Sequence, residues 1–104
     1  MVARPMRWLI DGMNVIGSRP DGWWRDREAA KQRLLGELEG LEGEVSVVFD
    51  EKGLVADDEI VARVAADPDP ASLTVVTSDA ELQRRVRERG ASVEGAGSFR
   101  RRLG

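Results

Sequence analysis

The 104-residue sequence contains no cysteine, no histidine and no tyrosine. Without cysteine, the chain has no disulfide, no thiolate nucleophile and no cysteine-ligated zinc site. Without histidine, it cannot use the Ser-His-Asp or Cys-His catalytic systems, a histidine general base or a histidine-ligated zinc. Any catalysis must therefore rest on carboxylates, hydroxyls, arginines or the two lysines, Lys31 and Lys52.

Long hydrophobic runs are also missing. No segment approaches the roughly 18 uninterrupted apolar residues that a membrane-spanning helix needs. Residues 1–7 contain no apolar stretch long enough for a signal peptide. The length fits one domain, and no linker divides residues 1–104. We therefore expect a single cytoplasmic domain without membrane association.

Charge is distributed unevenly along the chain. Seven arginines and three glutamates give residues 80–104 a net charge of +4, so residues 1–79 carry −7 of the overall −3. An acidic body with a basic end suits an acidic metal centre beside a basic strip that holds a polyanion. The same distribution also suits a solvated helix followed by a solubilising tail.

Short β-branched segments alternate with stretches of helical periodicity, which predicts a parallel sheet with right-handed crossovers. The predicted strands are 6–10, 45–49, 73–77 and 91–94. The predicted helices are 25–41, 57–66 and a third that ends near residue 89. The third helix begins with a capping box of Ser78 and Glu81, and Gly90 follows its end. We expect loops over 16–24 and over a basic tail at 95–104.

Aspartates follow three of the predicted strands, and more begin the helix after the second. Asp11, Asp50 and Asp79 follow strands, and the carboxyl ends of parallel strands share one edge. Asp57 and Asp58 begin a helix that can approach the same edge. Clustered carboxylates repel one another, and their oxygens suit a hard divalent cation, Mg²⁺ or Mn²⁺. The matching chemistry is metal-assisted hydrolysis of a phosphodiester.

Each of these aspartates also has an ordinary structural interpretation. Asp11 and Asp50 lie in segments that resemble turns. Asp57 or Asp58 can cap a helix, and Asp79 can complement a helix dipole. Their shared position at one predicted edge is what favours the functional interpretation.

Asn14 and the two adjacent tryptophans, Trp23 and Trp24, can each be interpreted in two ways. Asn14 can orient a metal-bound water or make ordinary loop hydrogen bonds. Trp23 and Trp24 adjoin Arg25 and Arg27, so the tryptophans can stack on bases beside phosphate-binding arginines. They can equally pack as a plug at the start of the first helix. A glycine-rich phosphate loop is absent from the sequence, so binding of a nucleoside triphosphate is not supported.

Five motifs occur in order along nearly the whole chain. They are I-D-G-M-N-V-I-G from Ile10, W-W-R-D-R from Trp23, V-V-F-D ending at Asp50, A-D-D-E-I from Ala56 and V-T-S-D ending at Asp79. Together they resemble the NYN domain in its YacP-like branch, which belongs to the PIN-like ribonuclease superfamily. The resemblance implies a three-layer α/β/α, Rossmann-like sandwich with a parallel sheet of about four strands in the order 2-1-3-4.

The resemblance also implies an endoribonuclease that uses Mg²⁺ or Mn²⁺ to cleave RNA. Carried over by motif, the catalytic residues are Asp11, Asn14, Asp58 and Asp79. The metal ligands are Asp11, Asp57, Asp58 and Asp79, with Asp50 near the site. Asn14 would orient water or a ligand. We expect arginines of the last helix and the tail to hold the RNA backbone, namely Arg84, Arg85, Arg100, Arg101 and Arg102.

The sequence departs from the family pattern in two places. Only residues 51–55 separate the V-V-F-D strand from the A-D-D helix, where family members usually have another strand and a basic loop. Gln83 stands where some relatives carry an additional acidic residue. These departures motivate an alternative, an RNA-binding module that has lost catalysis or works only on a partner such as a ribosome. A phosphatase or receiver-type pocket is weaker, because a late-strand lysine and a D-x-D motif are both absent.

Overall fold

A parallel four-stranded sheet in the order β2-β1-β3-β4 forms the centre of the molecule. The computed structural model of the chain describes residues 6–50 and 55–103, so residues 1–5, Gly104 and most of the short 51–55 connection lie outside it. The strands are β1 (Arg7–Asp11), β2 (Glu44–Val48), β3 (Leu73–Val76) and β4 (Ser92–Glu94). The helices are α1 (Gly12–Gly17), α2 (Arg27–Leu38), α3 (Ala56–Ala66), α4 (Ala80–Glu88) and α5 (Ala96–Leu103). The predicted strand order is confirmed.

The sheet carries a hydrophobic core on each face, because successive strand residues point to opposite sides. Leu9 and Val75 pack on one face with buried residues of α3 and α4. Trp8, Ile10 and Val76 pack on the other face with α1, α2 and α5. The predicted three-layer α/β/α arrangement is therefore confirmed. No helix in the described part of the chain is long and apolar enough to cross a membrane.

The predicted loop-like tail at 95–104 is wrong over most of its length, because α5 occupies it. Ala96 and Phe99 are fully buried on one side of this helix. The Phe99 ring lies 5.2 Å from the Trp8 ring, centroid to centroid. Burial of an aromatic side chain outweighs the low helix propensity of Gly97. The arginines of this segment consequently project from a packed helix.

The predicted loop over 16–24 is also wrong at both ends. Helix α1 begins immediately after β1 and extends to Gly17, and Trp23–Arg25 forms a single 3₁₀ turn. Val15 and Ile16 are buried, which ties the short α1 to the core. The first long helix, α2, therefore starts later than the sequence predicted.

Helix α4 begins one residue later than the predicted capping box implies. The Asp79 side chain caps it by accepting a hydrogen bond from the backbone N–H of Leu82 at 3.0 Å. Ser78 instead accepts a hydrogen bond at its Oγ from the backbone N–H of Ala96 at 2.8 Å. At the other end, Gly90 has a φ of +96°, which confirms its predicted role as the glycine after the helix.

Candidate acidic site

Asp11 is the last residue of β1, which lies between β2 and β3 in the sheet. The β1-to-β2 connection runs over one face of the sheet and the β2-to-β3 connection over the other. In a parallel sheet, ligands bind in the crevice at such a switch point. Asp11 is only 5% exposed, and the hydroxyl of the fully buried Thr77 donates to its Oδ2 at 3.0 Å. These two side chains form the floor of the site.

Asn14 joins the two strand ends that meet at this floor. Its Oδ1 accepts a hydrogen bond from the backbone N–H of Ser78 at 2.8 Å, and its own backbone N–H donates to the Asp11 carboxylate. The backbone N–H of Asp79 in turn donates to Thr77 Oγ1 at 3.2 Å. The Asn14 NH₂ group has no hydrogen-bond partner among residues 6–50 and 55–103. Its role in orienting water stays a prediction.

The carboxylates around Asp11 act on one another electrostatically. Burial raises the pKa of Asp11 to about 6, and the charges of Asp57 and Asp50 contribute to the rise against the hydrogen bond from Thr77. Burial also raises the pKa of Asp57, followed by the charges of Asp79 and Asp50. We call Asp11, Asp50, Asp57 and Asp79 the acidic cluster. Its members repel one another at the predicted edge of the sheet.

Two members of the acidic cluster also cap helices. Asp50 Oδ1 accepts a hydrogen bond from the backbone N–H of Ala56 at 2.7 Å, at the start of α3. Asp79 Oδ1 does the same for Leu82 in α4. A cap engages one carboxylate oxygen, so the structural and functional interpretations of these two residues are compatible.

The neighbouring residues Asp57 and Asp58 have different surroundings. Asp57 is partly buried and acts on Asp11, whereas the Asp58 side chain is 72% exposed and pairs with Arg85 at 3.3 Å. Successive helix residues point about 100° apart, so both cannot face the same floor. The structure brings Asp57 to Asp11 and places Asp58 outside the acidic cluster. The sequence-based assignment of Asp58 to catalysis and metal binding stays a prediction.

The ligand chemistry of the acidic cluster fits a divalent cation. Its carboxylates and the hydroxyl of Thr77 are hard oxygen donors of the kind that Mg²⁺ and Mn²⁺ prefer. Among residues 6–50 and 55–103, no three acidic side chains lie close enough to hold one ion together. Mg²⁺ is usually bound through one or two carboxylates, with waters completing its coordination. The arrangement therefore fits an ion held mainly by Asp11 and Asp57.

Arginines of α4 that were expected to hold RNA are engaged within the protein. Arg84 pairs with both Glu81 and Glu88, the latter at 2.5 Å. Arg85 pairs with Asp58, as described above. Because each arginine already has a carboxylate partner, its attraction for a phosphate is reduced.

The arginines of α5 differ in their hydrogen-bond and ion-pair partners within the described part of the chain. Arg100 Nη1 donates to the backbone carbonyl of Ser18 at 2.6 Å, and Arg102 pairs with Glu94 at 2.6 Å. Arg101 is exposed and makes no ion pair within the described part of the chain. None of these interactions involves a member of the acidic cluster.

A cavity of about 200 Å³ lies between α1 and α2, and no member of the acidic cluster lines it. Its walls are largely apolar. On its rim, Arg19 pairs with Glu37 at 2.6 Å and Arg33 pairs with Asp21 at 3.1 Å. These two ion pairs offset charge on the rim, and Arg25 also lines the cavity.

Three residues that build the site were not predicted as site residues. Thr77 fixes the Asp11 carboxylate, and Ser78 joins the β3 end to α5. Gln83 Nε2 donates to the Thr77 carbonyl at 2.7 Å, so it supports the site where some relatives carry a carboxylate. The one indication in the sequence was the T-S-D motif itself, which places a hydroxyl at the end of a buried strand.

Comparison with known proteins finds a matching family model and similar solved structures. The model of the YacP-like NYN domain matches residues 28–104, which include Asp50, Asp57 and Asp79 but not Asp11. The structure is similar to the crystal structure of Rae1 (YacP) from Bacillus subtilis (W164L mutant), with a TM-score of 0.78 and 23% identity. The similarity covers 94% of this chain and 74% of that chain, and it confirms the PIN-like fold. No curated protein matches the sequence.

Proposed function

Because this chain belongs to the YacP-like NYN domain family, whose fold is of the ribonuclease type, we propose that it is a metal-dependent endoribonuclease. The supporting observation is the buried Asp11 carboxylate at the switch point of the sheet, with other carboxylates around it. Uncompensated repulsion between carboxylates destabilises a fold. Such a cluster is useful where a cation and a phosphodiester bind.

The residues of the site would divide the work as follows. Asp11 and Asp57 would hold Mg²⁺ or Mn²⁺. When bound, the cation neutralises charge on the phosphate oxygens and lowers the pKa of a water. Thr77 keeps the Asp11 carboxylate in one orientation through its hydroxyl. The free NH₂ group of Asn14 can donate to a water or to a phosphate oxygen.

The test is cleavage of a pool of single-stranded and structured RNA in Mg²⁺, in Mn²⁺ and in chelator. Asp11→Asn is expected to lower the cleavage rate on the order of 100-fold or more, because it removes a ligand that burial holds in place. Asp57→Asn is expected to have a similar effect, and Asp58→Asn a much smaller one. Glu59→Gln is the matched control on α3, because Glu59 pairs with the exposed Arg63 and with no other cation among residues 6–50 and 55–103.

Cleavage that is unaffected by chelator, or that persists at the original rate in Asp11→Asn, would rule out this mechanism. Equal losses in Asp57→Asn and Asp58→Asn would instead show that Asp57 has been wrongly singled out.

A second candidate is an RNA-binding module without its own catalysis, working on a partner such as a ribosome. It is favoured by the absence of three jointly ligating acidic side chains among residues 6–50 and 55–103, and by Gln83 at a position that is acidic in some relatives. Folded protein that cleaves no RNA in either metal, while its RNA binding persists in Asp11→Asn, would support this candidate over the first.

A further inference from the structure

Three cations near the start of α2 differ from those of α4 and α5. Arg25, Arg27 and Lys31 make no ion pair with any residue in the described part of the chain. Each lies over an aromatic ring instead. The pairs are Arg25 over Trp24 at 6.0 Å, Arg27 over Trp23 at 5.6 Å and Lys31 over Phe49 at 5.3 Å. A ring does not neutralise a cation, so no ion pair with a described residue reduces the attraction of these three for phosphate.

Trp24 presents an aromatic surface to solvent among these cations. Its side chain is 57% exposed. Trp23 is partly buried against the core formed with α1, α2 and α5, and it stands edge-on to Trp24, with ring centroids 6.0 Å apart and an interplanar angle of 87°. Trp23 therefore holds its neighbour in place, while Trp24 leaves a face free on which a nucleobase can stack.

Contacts of Lys31 connect the three cations to residues beside the acidic cluster. Lys31 lies over the Phe49 ring, and that ring packs directly against Gly12. A Cβ added at Gly12 would lie 2.4 Å from Phe49 Cε1, so only glycine allows this approach. Gly12 follows Asp11 and Phe49 precedes Asp50. The Phe49 ring thus connects the last cation to the chain positions next to Asp11 and Asp50.

We infer that a single-stranded RNA segment binds along Trp24, Arg25, Arg27 and Lys31, which we call the stacking strip. One unpaired base stacks on Trp24, the three cations contact consecutive backbone phosphates, and the strand continues past Phe49 into the acidic cluster. A duplex does not fit this surface, because its bases are already paired and stacked and cannot cover Trp24. The inference deepens the proposed function and rests on it only for the cleavage step.

The test measures binding separately from cleavage. The full chain carrying Asp11→Asn is titrated against a labelled oligouridine of about a dozen nucleotides and against a hairpin of similar length, by fluorescence anisotropy. Adding Trp24→Ala is expected to weaken oligouridine binding about tenfold, whereas Trp24→Phe retains most of it. Adding Lys31→Gln is expected to weaken it several-fold and to reduce the slope of log K against log salt by about 0.7.

Arg63→Gln is the matched control, because it removes the same charge from an exposed arginine of α3 that pairs with Glu59. It should change the affinity less than twofold. Circular dichroism checks that each variant is folded, and the exposure of Trp24 makes its replacement compatible with folding.

The outcomes separate this inference from the proposed function, since cleavage by the unmodified chain is measured in parallel. If the chain cleaves RNA but Trp24→Ala and Lys31→Gln bind oligouridine like their parent, the stacking strip is wrong and the catalytic proposal stands. If both variants lose binding while the chain cleaves nothing, the stacking strip is supported and the catalytic proposal fails. Tighter binding of the hairpin, or an equal loss in Arg63→Gln, would overturn the inference.

Discussion

The two edges of the central sheet differ in how their charged side chains are paired. At the edge where the strands begin, the Arg7 guanidinium contacts Asp67 at 2.6 Å, Ser72 at 2.7 Å and Glu44 at 2.9 Å. At the edge where the strands end, the hydrogen bonds that the Asp11 carboxylate receives from residues 6–50 and 55–103 come from neutral donors, and the charges of Asp57 and Asp50 act against its ionisation.

This difference changes what each edge contributes. The hydrogen bond from Arg7 lowers the pKa of Asp67, so the first edge favours the charged carboxylate. Burial raises the pKa of Asp11, so the second edge disfavours it. The chain has 16 lysines and arginines, so cations are not scarce. The first edge stabilises the fold, whereas we propose that the second is organised for binding at some cost in stability.

The largest expected effect on stability comes from breaking the first edge. Arg7→Gln should lower the melting temperature by on the order of ten degrees, because it leaves Asp67 partly buried without its cation. Thermal unfolding followed by circular dichroism measures the change.

Arg63→Gln is the control for this experiment. It breaks an exposed pair with Glu59 within one helix, which should change the melting temperature by about a degree or two. Similar losses in the two variants would mean that Arg7 contributes no more than an ordinary surface ion pair.

Removing the central charge of the second edge should instead raise the stability of the fold. Asp11→Asn is expected to stabilise the fold at pH 7 by roughly 1–2 kcal/mol in chelator, after allowance for solvent screening. The pKa of Asp11 is about 6 in the fold against a usual 3.8, so the folded state binds the extra proton. Stability of the original chain therefore falls as pH rises from about 4 to about 6, and the advantage of Asp11→Asn is complete above that window.

Chemical denaturation of both proteins at pH 7 and at pH 4 gives this difference. An Asp11→Asn variant that is no more stable than its parent at pH 7 would show that burial of the charge carries no penalty.

The smallest expected effect is the loss of stability at the first edge on acidification. Because Arg7 lowers the pKa of Asp67, the stabilisation from this pair is present above about pH 4 and is lost as pH falls below that value. The difference in melting temperature between the original chain and Asp67→Asn should therefore shrink on acidification. A difference that stays constant between pH 7 and pH 3 would remove charge pairing as its cause.

Much of this contrast could be predicted from the sequence. Apolar, β-branched segments predicted the four strands. The aspartates that follow these segments predicted the edge of the sheet where the acidic cluster lies. The three-layer fold also followed, because strands and helices alternate at a regular spacing. The role of Asp11 and Asp79 as metal ligands, which the family motifs imply, stays a prediction.

Other features depend on geometry that adjacent residues do not reveal. Asp57 and Asp58 are equivalent in the sequence, and only the rotation of α3 decides which one approaches Asp11. Charge counting likewise could not show which arginines are paired, because the partners are set by helix packing. Helix α5 was missed because glycines and arginines obscure the short apolar spacing of Ala96 and Phe99.

The central claim, that the second edge is organised for a divalent cation, can be tested without RNA. The melting temperatures of the original chain, of Asp11→Asn and of Glu59→Gln are measured in chelator and in increasing Mn²⁺. At about ten times the dissociation constant, a bound ion stabilises the fold by about 1.4 kcal/mol. We predict a saturable rise in the original chain and in Glu59→Gln, and none in Asp11→Asn. No rise in the original chain, or the same rise in Asp11→Asn, would contradict the claim.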